Sequence, residues 1–174
     1  IDHVYYDNKK RDKEFSKSIN EKHLETFNIQ KLLKEEKKKN IKEGLISQIK
    51  DIINQGHKLI LVYPVPEMKF VPQKALYRKH LFEKSFFENS IPILSESYEV
   101  FKKKNKLIFE ILDSVQSPNI HRVYPDKLFC NKQIENRCVT NDNKNLFYYD
   151  NNHLSLLGSE FVVDEIMKII KDLN

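Results

Sequence analysis

The sequence predicts an α/β protein with a doubly wound, three-layer α/β/α arrangement around a parallel sheet. Short continuous apolar runs bounded by Gly or Pro are typical of strands buried on both faces of a parallel sheet. Longer segments with apolar residues at three- and four-residue steps are typical of amphipathic helices. The two kinds of segment alternate along the 174 residues. This alternation favours a sheet with helices packed on both faces.

The chain is expected to form one domain, residues 1–174, with residues 1–40 as a charged helical or loop lead-in and residues 41–174 as the core. The lead-in carries sparse apolar positions among many Lys and Glu residues, which is typical of exposed helix or loop. From residue 40 to residue 55 the apolar side chains fall on one helical face. Gly56 is predicted to cap the C-terminus of this helix.

The first predicted strand covers residues 58–65 and ends at a Pro-x-Pro sequence. Residues 67–93 follow with no clear period, which predicts a long excursion at the C-terminal end of that strand, where open α/β sheets bind their ligands. Basic and aromatic residues gather there, and Tyr77 and Arg78 are the candidate substrate-binding residues. A loop and helix packed on the sheet edge would explain the segment equally well.

The second half of the chain continues the alternation. Residues 95–114 predict an amphipathic helix, residues 119–124 the next strand, and Ser155 the N-cap of a last helix. The residues of the last helix predicted to point inward are Leu156, Phe161, Val162, Ile166, Ile169 and Ile170.

Asp150 and His153 stand three residues apart just before this last helix. An imidazole acts as a general base when a partner fixes its tautomer and stabilises the imidazolium, and a nearby carboxylate does both. Asp150 and His153 are therefore the candidate catalytic pair, although the spacing alone is weak evidence. Ser155 is better explained as a helix cap than as a nucleophile. The five other His residues are expected to lie at the surface, because none has a partner residue at the sequence spacing that a ligand site needs.

Composition narrows the function classes. The net charge is +5, from 30 basic and 25 acidic residues, but Lys alternates with Glu along helical segments. This pattern favours a solvated surface over a nucleic-acid site. The sequence has no apolar run of the roughly 18 residues that a membrane span needs, and no signal-peptide pattern.

Two cysteines indicate the compartment. Cys130 and Cys138 flank a polar loop, and their spacing fits a small loop-closing disulfide rather than a metal site, because no second pair is near enough to complete zinc coordination. A disulfide would place the chain in an oxidising compartment, the periplasm or the cell surface. Two unpaired thiols in a cytosolic protein are the alternative.

Several motifs together resemble a known family. Residues 148–158, YYDNNHLSLLG, resemble the last conserved block of the SGNH hydrolase superfamily, in the version fused to bacterial membrane O-acyltransferases of the acyltransferase-3 family. Residues 59–67, LILVYPVPE, resemble the central strand of that family, and Cys130 and Cys138 resemble its paired cysteines. The resemblance covers roughly residue 41 to the C-terminus and implies the flavodoxin-like SGNH hydrolase fold.

The resemblance implies an extracytoplasmic domain of an O-acyltransferase that acylates a cell-envelope polysaccharide such as lipopolysaccharide. The acyl group that it implies is acetyl. The implied partners are an acyl donor, a glycan acceptor and a membrane acyltransferase domain in the same full-length chain, located in the bacterial inner membrane. Ser-His-Asp chemistry needs no cofactor and no metal. A stand-alone esterase or deacetylase of acylated glycans and a non-catalytic glycan-binding relative are the alternatives.

One departure from the family pattern concerns the nucleophile. The superfamily uses the Ser of a Gly-Asp-Ser block, and none of Gly44, Gly56 and Gly158 is followed by Asp-Ser. A Gly-x-Asn-Asp block is also missing. Because the opening IDHVYY is similar to the end of a buried strand, we expect the chain to begin part-way through the domain. The N-terminal part, with the nucleophile and most oxyanion-hole donors, would then lie upstream of Ile1, and this fragment alone would be inactive.

Overall fold

The computed structural model describes residues 8–83 and 91–173, so the predicted strand end in residues 1–7 lies outside the described residues. The chain divides into two compact units, Ile1–Ser47 and Gln48–Asn174. The element order is α1 (Asn8–Asn54), β1 (Leu59–Val62), α2 (Pro72–Glu83), β2 (Ser95–Ser97), α3 (Tyr98–Asp113), β3 (Ile120–Val123), α4 (Asp126–Phe129), β4 (Arg137–Val139) and α5 (Leu156–Leu173).

The described part of the first unit is helical. Apolar side chains on this part of α1 are largely exposed, with Leu32 70% exposed and Leu33 59% exposed. Ion pairs one turn apart support the exposed helix, such as Lys38 Nζ to Glu35 Oε1 at 2.8 Å. Over residues 8–40, the described part of the lead-in, the chain is therefore helical.

The predicted C-cap of α1 is confirmed. Gly56 has a φ of 85°, in the left-handed region that glycine adopts without steric cost. Its N–H donates to the Ile53 carbonyl at 2.9 Å, and the His57 N–H donates to the Ile52 carbonyl at 3.3 Å. This pair of hydrogen bonds is the Schellman motif, which satisfies the last carbonyls of a helix.

The two predicted strands pair in parallel, which together with the surrounding helices confirms the α/β fold class. In the register of β1 and β3, Leu59 lies opposite Ile120 and Val62 lies opposite Val123. The expectation that the first strand is buried on both faces is wrong, since Val62 is 44% exposed. Within the described residues β1 has a hydrogen-bonded neighbour on one side, and a strand at a sheet edge keeps part of its surface open to solvent.

A second, antiparallel pair of strands joins β2 to β4. The sequence did not predict it, because three-residue strands are too short for a period-2 pattern to be recognised. Ser97 ends β2 and caps α3, accepting a hydrogen bond from the Val100 N–H. The predicted excursion at residues 67–93 contains helix α2, and its residues 84–90 lie outside the described part of the chain.

The core of the second unit lies between the sheet, α4 and α5. It is centred on aromatic, sulfur-containing and valine side chains that are almost fully buried: Met68, Val123, Phe129, Cys130, Cys138, Val139, Phe147, Tyr148 and Val162.

Two residues of α5 were wrongly predicted to point inward. Leu156 is 81% exposed and Ile170 is 36% exposed. At about 100° per residue, the buried Gly158 and Val162 define the inner face of the helix. Leu156 lies nearly opposite that face and Ile170 lies at its flank, so both side chains point towards solvent.

Cys130 and Cys138 form the expected disulfide, with a sequence separation of 8 residues. Both cysteines are buried, at 4% and 1% exposure, and pack in the core. Replacing both by Ala should lower the free energy of unfolding by about 2–3 kcal/mol, because the open loop gains entropy in the unfolded chain. Urea unfolding of the variant and of the wild type, each with and without reductant, measures this. A reductant effect that persists in the variant would contradict the assignment.

Candidate active site

The candidate catalytic pair lies on a small hairpin immediately before α5. The Tyr149 N–H donates to the His153 carbonyl at 2.8 Å, and the Ser155 N–H donates to the Phe147 carbonyl at 2.9 Å. Tyr148 and Leu154 are the bridged residues between these bonds. Asp150, Asn151 and Asn152 therefore form the tip of the hairpin, and His153 begins its returning arm.

The Asp150 side chain shapes this tip. Its Oδ1 accepts hydrogen bonds from the Asn152 N–H at 2.9 Å and from the His153 N–H at 2.7 Å. Asp and Asn side chains favour such turns, because their short polar groups replace the backbone partner that a turn leaves unpaired. The Asp-Asn-Asn-His sequence thus folds into a turn that brings the His153 ring next to the Asp150 carboxylate.

The other carboxylate oxygen of Asp150 holds the imidazole. Asp150 Oδ2 lies 2.8 Å from His153 Nδ1. A carboxylate accepts hydrogen bonds, so a neutral His153 carries its proton on Nδ1 and keeps the lone pair of Nε2 for another group. The His153 side chain is 73% exposed, and that of Asp150 is 32% exposed. The pair has the orientation that a general base requires, with Nε2 accessible from outside.

The hydrogen bonds around Asp150 also keep it ionised. The Asn152 backbone N–H, the His153 ring and the His153 backbone N–H lower the pKa of the Asp150 carboxyl from its ordinary 3.8 to about 2. A carboxylate that accepts several hydrogen bonds is favoured over its protonated form. Asp150 is therefore negatively charged at any pH at which the protein would act.

This lowered pKa sets the expected pH dependence of the hairpin. Because the folded-state pKa is below the ordinary value, the stability that Asp150 contributes is fully present above pH 4 and is lost as the pH falls through about 2. We expect the side-chain carboxyl carbon of Asp150 to titrate near pH 2 in an NMR titration. A midpoint near the ordinary 3.8 would contradict the geometry.

Ser155 caps α5 as predicted. Its Oγ accepts a hydrogen bond from the Gly158 N–H at 3.1 Å and donates one to the Leu146 carbonyl at 2.8 Å. The hydroxyl proton is therefore already engaged with a backbone carbonyl. This use of the hydroxyl agrees with a structural role for Ser155.

A close backbone approach fixes the hairpin against α5. A Cβ atom added to Gly158 would lie 2.1 Å from the Phe147 carbonyl oxygen, so only glycine fits at this position of the helix. The same carbonyl accepts the Ser155 N–H that closes the hairpin. The sequence placed Gly158 in the family motif but did not indicate this contact.

The proposed substrate-binding residues lie on α2. Tyr77 is 63% exposed, and Arg78 beside it is also exposed. They follow Gln73 by about one helical turn, and Gln73 Nε2 donates to the Tyr148 carbonyl at 2.8 Å. The structure thus joins the start of α2 to the hairpin, while a substrate-binding role for Tyr77 and Arg78 stays a prediction.

In the described ranges 8–83 and 91–173, no group of three or more His, Cys, Asp or Glu side chains could hold a metal ion. In the same ranges, no helix combines the length and the apolar character needed to cross a bilayer. His57 is exposed and His121 is half-buried on β3, whereas the side chains of His3, His23 and His80 lie outside the described part.

Comparison with known proteins gives one match. A family model described as the SGNH domain fused to AT3 domains matches residues 4–168. The match begins well before residue 41, where the resemblance in the sequence was expected to start. No curated protein and no solved structure matches the chain. Because the family model covers nearly the whole chain, the protein belongs to the SGNH domain family, in the form that is fused to AT3 domains.

Proposed function

We propose that this chain is part of an extracytoplasmic O-acyltransferase domain that transfers an acyl group, an acetyl group in the first instance, to a hydroxyl of a cell-envelope polysaccharide. The observation that carries the proposal is the hydrogen bond between Asp150 Oδ2 and His153 Nδ1, which leaves the accessible Nε2 to act as a base. The fusion of this family to acyltransferase domains supports transfer as the reaction.

The proposed reaction has two steps. A Ser hydroxyl attacks the carbonyl carbon of the acyl donor while His153 Nε2 takes its proton, and the leaving group departs with that proton as its bond to the carbonyl breaks. The acceptor hydroxyl then attacks the acyl-enzyme, gives its proton to Nε2, and the ester bond to Ser breaks as Nε2 returns the proton to the Ser oxygen. Asp150 stabilises the imidazolium in both steps.

The nucleophilic Ser is proposed to come from polypeptide that precedes Ile1. Two observations support this. None of the three glycines is followed by Asp-Ser. The hydroxyl of Ser155, the Ser closest to His153 in the sequence, is engaged by the Leu146 carbonyl and the Gly158 N–H. The oxyanion-hole donors would be supplied with that Ser.

The proposed location is the periplasmic or outer face of the bacterial inner membrane. The disulfide between Cys130 and Cys138 supports this side, because such bonds persist in oxidising compartments. The membrane acyltransferase domain of the same full-length chain would deliver the acyl group to this domain. Lipopolysaccharide is the first acceptor glycan to test.

A serine-directed fluorophosphonate probe tests the proposal on the full-length protein. We expect a Ser upstream of Ile1 to be labelled, and the labelling rate to fall by about 10³-fold or more in His153→Ala, because that Ser loses its base. His57→Ala is the matched control, since His57 is exposed and lies outside the hairpin, and it should label like the wild type.

Three other outcomes would change the assignment. Absence of labelling in the wild type would favour the non-catalytic, glycan-binding alternative. Equal labelling of wild type and His153→Ala would exclude His153 as the base. If the probe labels the Ser but acetate is released to water with no acyl group found on the glycan, the protein is an esterase rather than a transferase.

A further inference from the structure

Residues 66–73, which comprise the end of the loop after β1 and the start of α2, contact the catalytic hairpin at two points. Met68 N–H donates to the Asn151 carbonyl at 2.8 Å, and Gln73 Nε2 donates to the Tyr148 carbonyl at 2.8 Å. Asp150 lies between these two acceptors in the sequence. Within the described residues, these are the hydrogen bonds that join residues 148–153 of the hairpin to a part of the chain distant in sequence.

This segment is itself held firmly. The rings of Pro66 and Pro72, which lie near its two ends, are fully buried, and proline fixes the backbone φ at both positions. Between them, Glu67 forms an ion pair with Lys104 of α3, and Lys69 Nζ lies 3.9 Å from Glu96 Oε1 on β2. A contact made from such a segment restrains its partner more than a contact made from a mobile loop.

One atom of the Gln73 side chain costs stability at this position. Its Oε1 is buried and has no hydrogen-bond partner among the described residues. A buried acceptor without a partner loses its hydration without compensation. An apolar side chain of similar shape would avoid this cost, so global stability alone does not explain an amide here. What the amide adds is the hydrogen bond to the Tyr148 carbonyl.

From these observations we propose that Gln73 is a positioning residue, which fixes the Asp150–His153 pair by holding the first arm of the hairpin through the Tyr148 carbonyl. Its action is indirect, because Gln73 touches neither Asp150 nor His153 through a hydrogen bond. Catalytic groups reach full effect when surrounding hydrogen bonds hold them in the productive orientation. The proposal does not depend on the reaction, whereas its kinetic consequence rests on the proposed function.

Gln73→Met separates positioning from stability. The substitution removes the unpaired Oε1, which favours folding, and leaves the Tyr148 carbonyl unpaired, which opposes it. These two effects are of similar size and opposite sign, so the unfolding midpoint should stay close to that of the wild type. Residues 148–153 of the hairpin, however, lose one of the two hydrogen bonds that join them to residues 66–73, so the hairpin amides should open more often.

Hydrogen exchange measured by mass spectrometry on the full-length protein tests this directly. We expect the peptide that carries the Tyr149, Asn152 and His153 amides to exchange about tenfold faster in Gln73→Met, while the β1–β3 peptides exchange as in the wild type. Gln116→Met is the matched control. Gln116 also donates its amide to a backbone carbonyl, that of Asp113 at 2.6 Å, but at the exposed end of α3.

If Gln73→Met does not fold, a second variant, Gln73→Glu, tests the same proposal. Gln73→Glu keeps the shape of the side chain, but its carboxylate cannot donate at neutral pH. Protonation restores a donor, so hairpin protection, compared with the wild type at each pH, should return as the Glu side chain is protonated. Unchanged hairpin protection in a folded variant at neutral pH would overturn the positioning role.

Kinetics distinguishes this proposal from the proposed function. If the Ser-His-Asp mechanism holds, Gln73→Met should lower kcat about tenfold with little change in KM, because binding groups are untouched. A fully active His153→Ala would refute the proposed function, and the exchange result would still decide the role of Gln73. An inactive His153→Ala together with an unchanged hairpin in Gln73→Met would refute the positioning role alone.

Discussion

Asp150→Asn is expected to lower the rate of acyl transfer by about 10³- to 10⁴-fold while the hairpin stays folded. The amide oxygen can still accept the Asn152 and His153 N–H groups that Oδ1 accepts in the wild type. The amide nitrogen, in contrast, replaces Oδ2 next to His153 Nδ1 and can only donate. The imidazole then keeps its proton on Nε2 and loses the lone pair that the base needs.

Asp142→Asn is the matched control for this substitution. Asp142 Oδ1 also closes a turn, accepting the Lys144 N–H at 2.7 Å and the Asn145 N–H at 2.6 Å, but no His lies on it. We expect its transfer rate to stay within about twofold of the wild type. Transfer of the acyl group to the acceptor glycan, measured on the full-length protein, gives both rates. A rate for Asp150→Asn above a tenth of the wild-type rate would remove Asp150 from the mechanism.

The sequence predicted those features that depend on neighbouring residues. The contact between Asp150 and His153, the Ser155 cap and the Gly56 cap each connect residues within four or five positions, so residue type and spacing are sufficient to recognise them. The β1 and β3 strands were also predicted, because an apolar run bounded by turn residues carries its own signal.

The features that the sequence did not predict depend on distant residues. The Gln73 amide and the Tyr148 carbonyl are 75 positions apart, and a glutamine in a helix gives no sign of what it will meet. Helix α2 mixes polar and apolar residues without a clear face, so its period was not recognised. The Gly-Asp-Ser block that would carry the nucleophile is missing from this chain. Without it, the distance of Tyr77 and Arg78 from the reacting atoms is not defined, and their substrate-binding role stays a prediction.

Gly158→Ala is expected to destabilise the second unit by about 3 kcal/mol, at the upper end of the range for overpacking. The added Cβ would meet the Phe147 carbonyl oxygen at 2.1 Å, and a backbone atom has no alternative rotamer to adopt. Either α5 or the hairpin must move, and the Ser155 N–H to Phe147 carbonyl bond lies at the same point. The Asp150–His153 pair should then be displaced, so the protein should lose activity together with stability. Urea unfolding and the probe-labelling rate measure the two effects.

Gly44→Ala is the matched control, and its expected effect has the opposite sign. A Cβ at Gly44 meets nothing within 4 Å, and the residue lies in the interior of helix α1. Alanine there should stabilise the helix by about 0.5–1 kcal/mol, because the unfolded chain loses conformational freedom. Both variants replace Gly by Ala in a helix, so the difference between their effects on stability measures the clash with Phe147. If Gly158→Ala instead unfolded at the urea concentration of the wild type or above it, α5 could not approach the hairpin as closely as described, and the dyad would need another support.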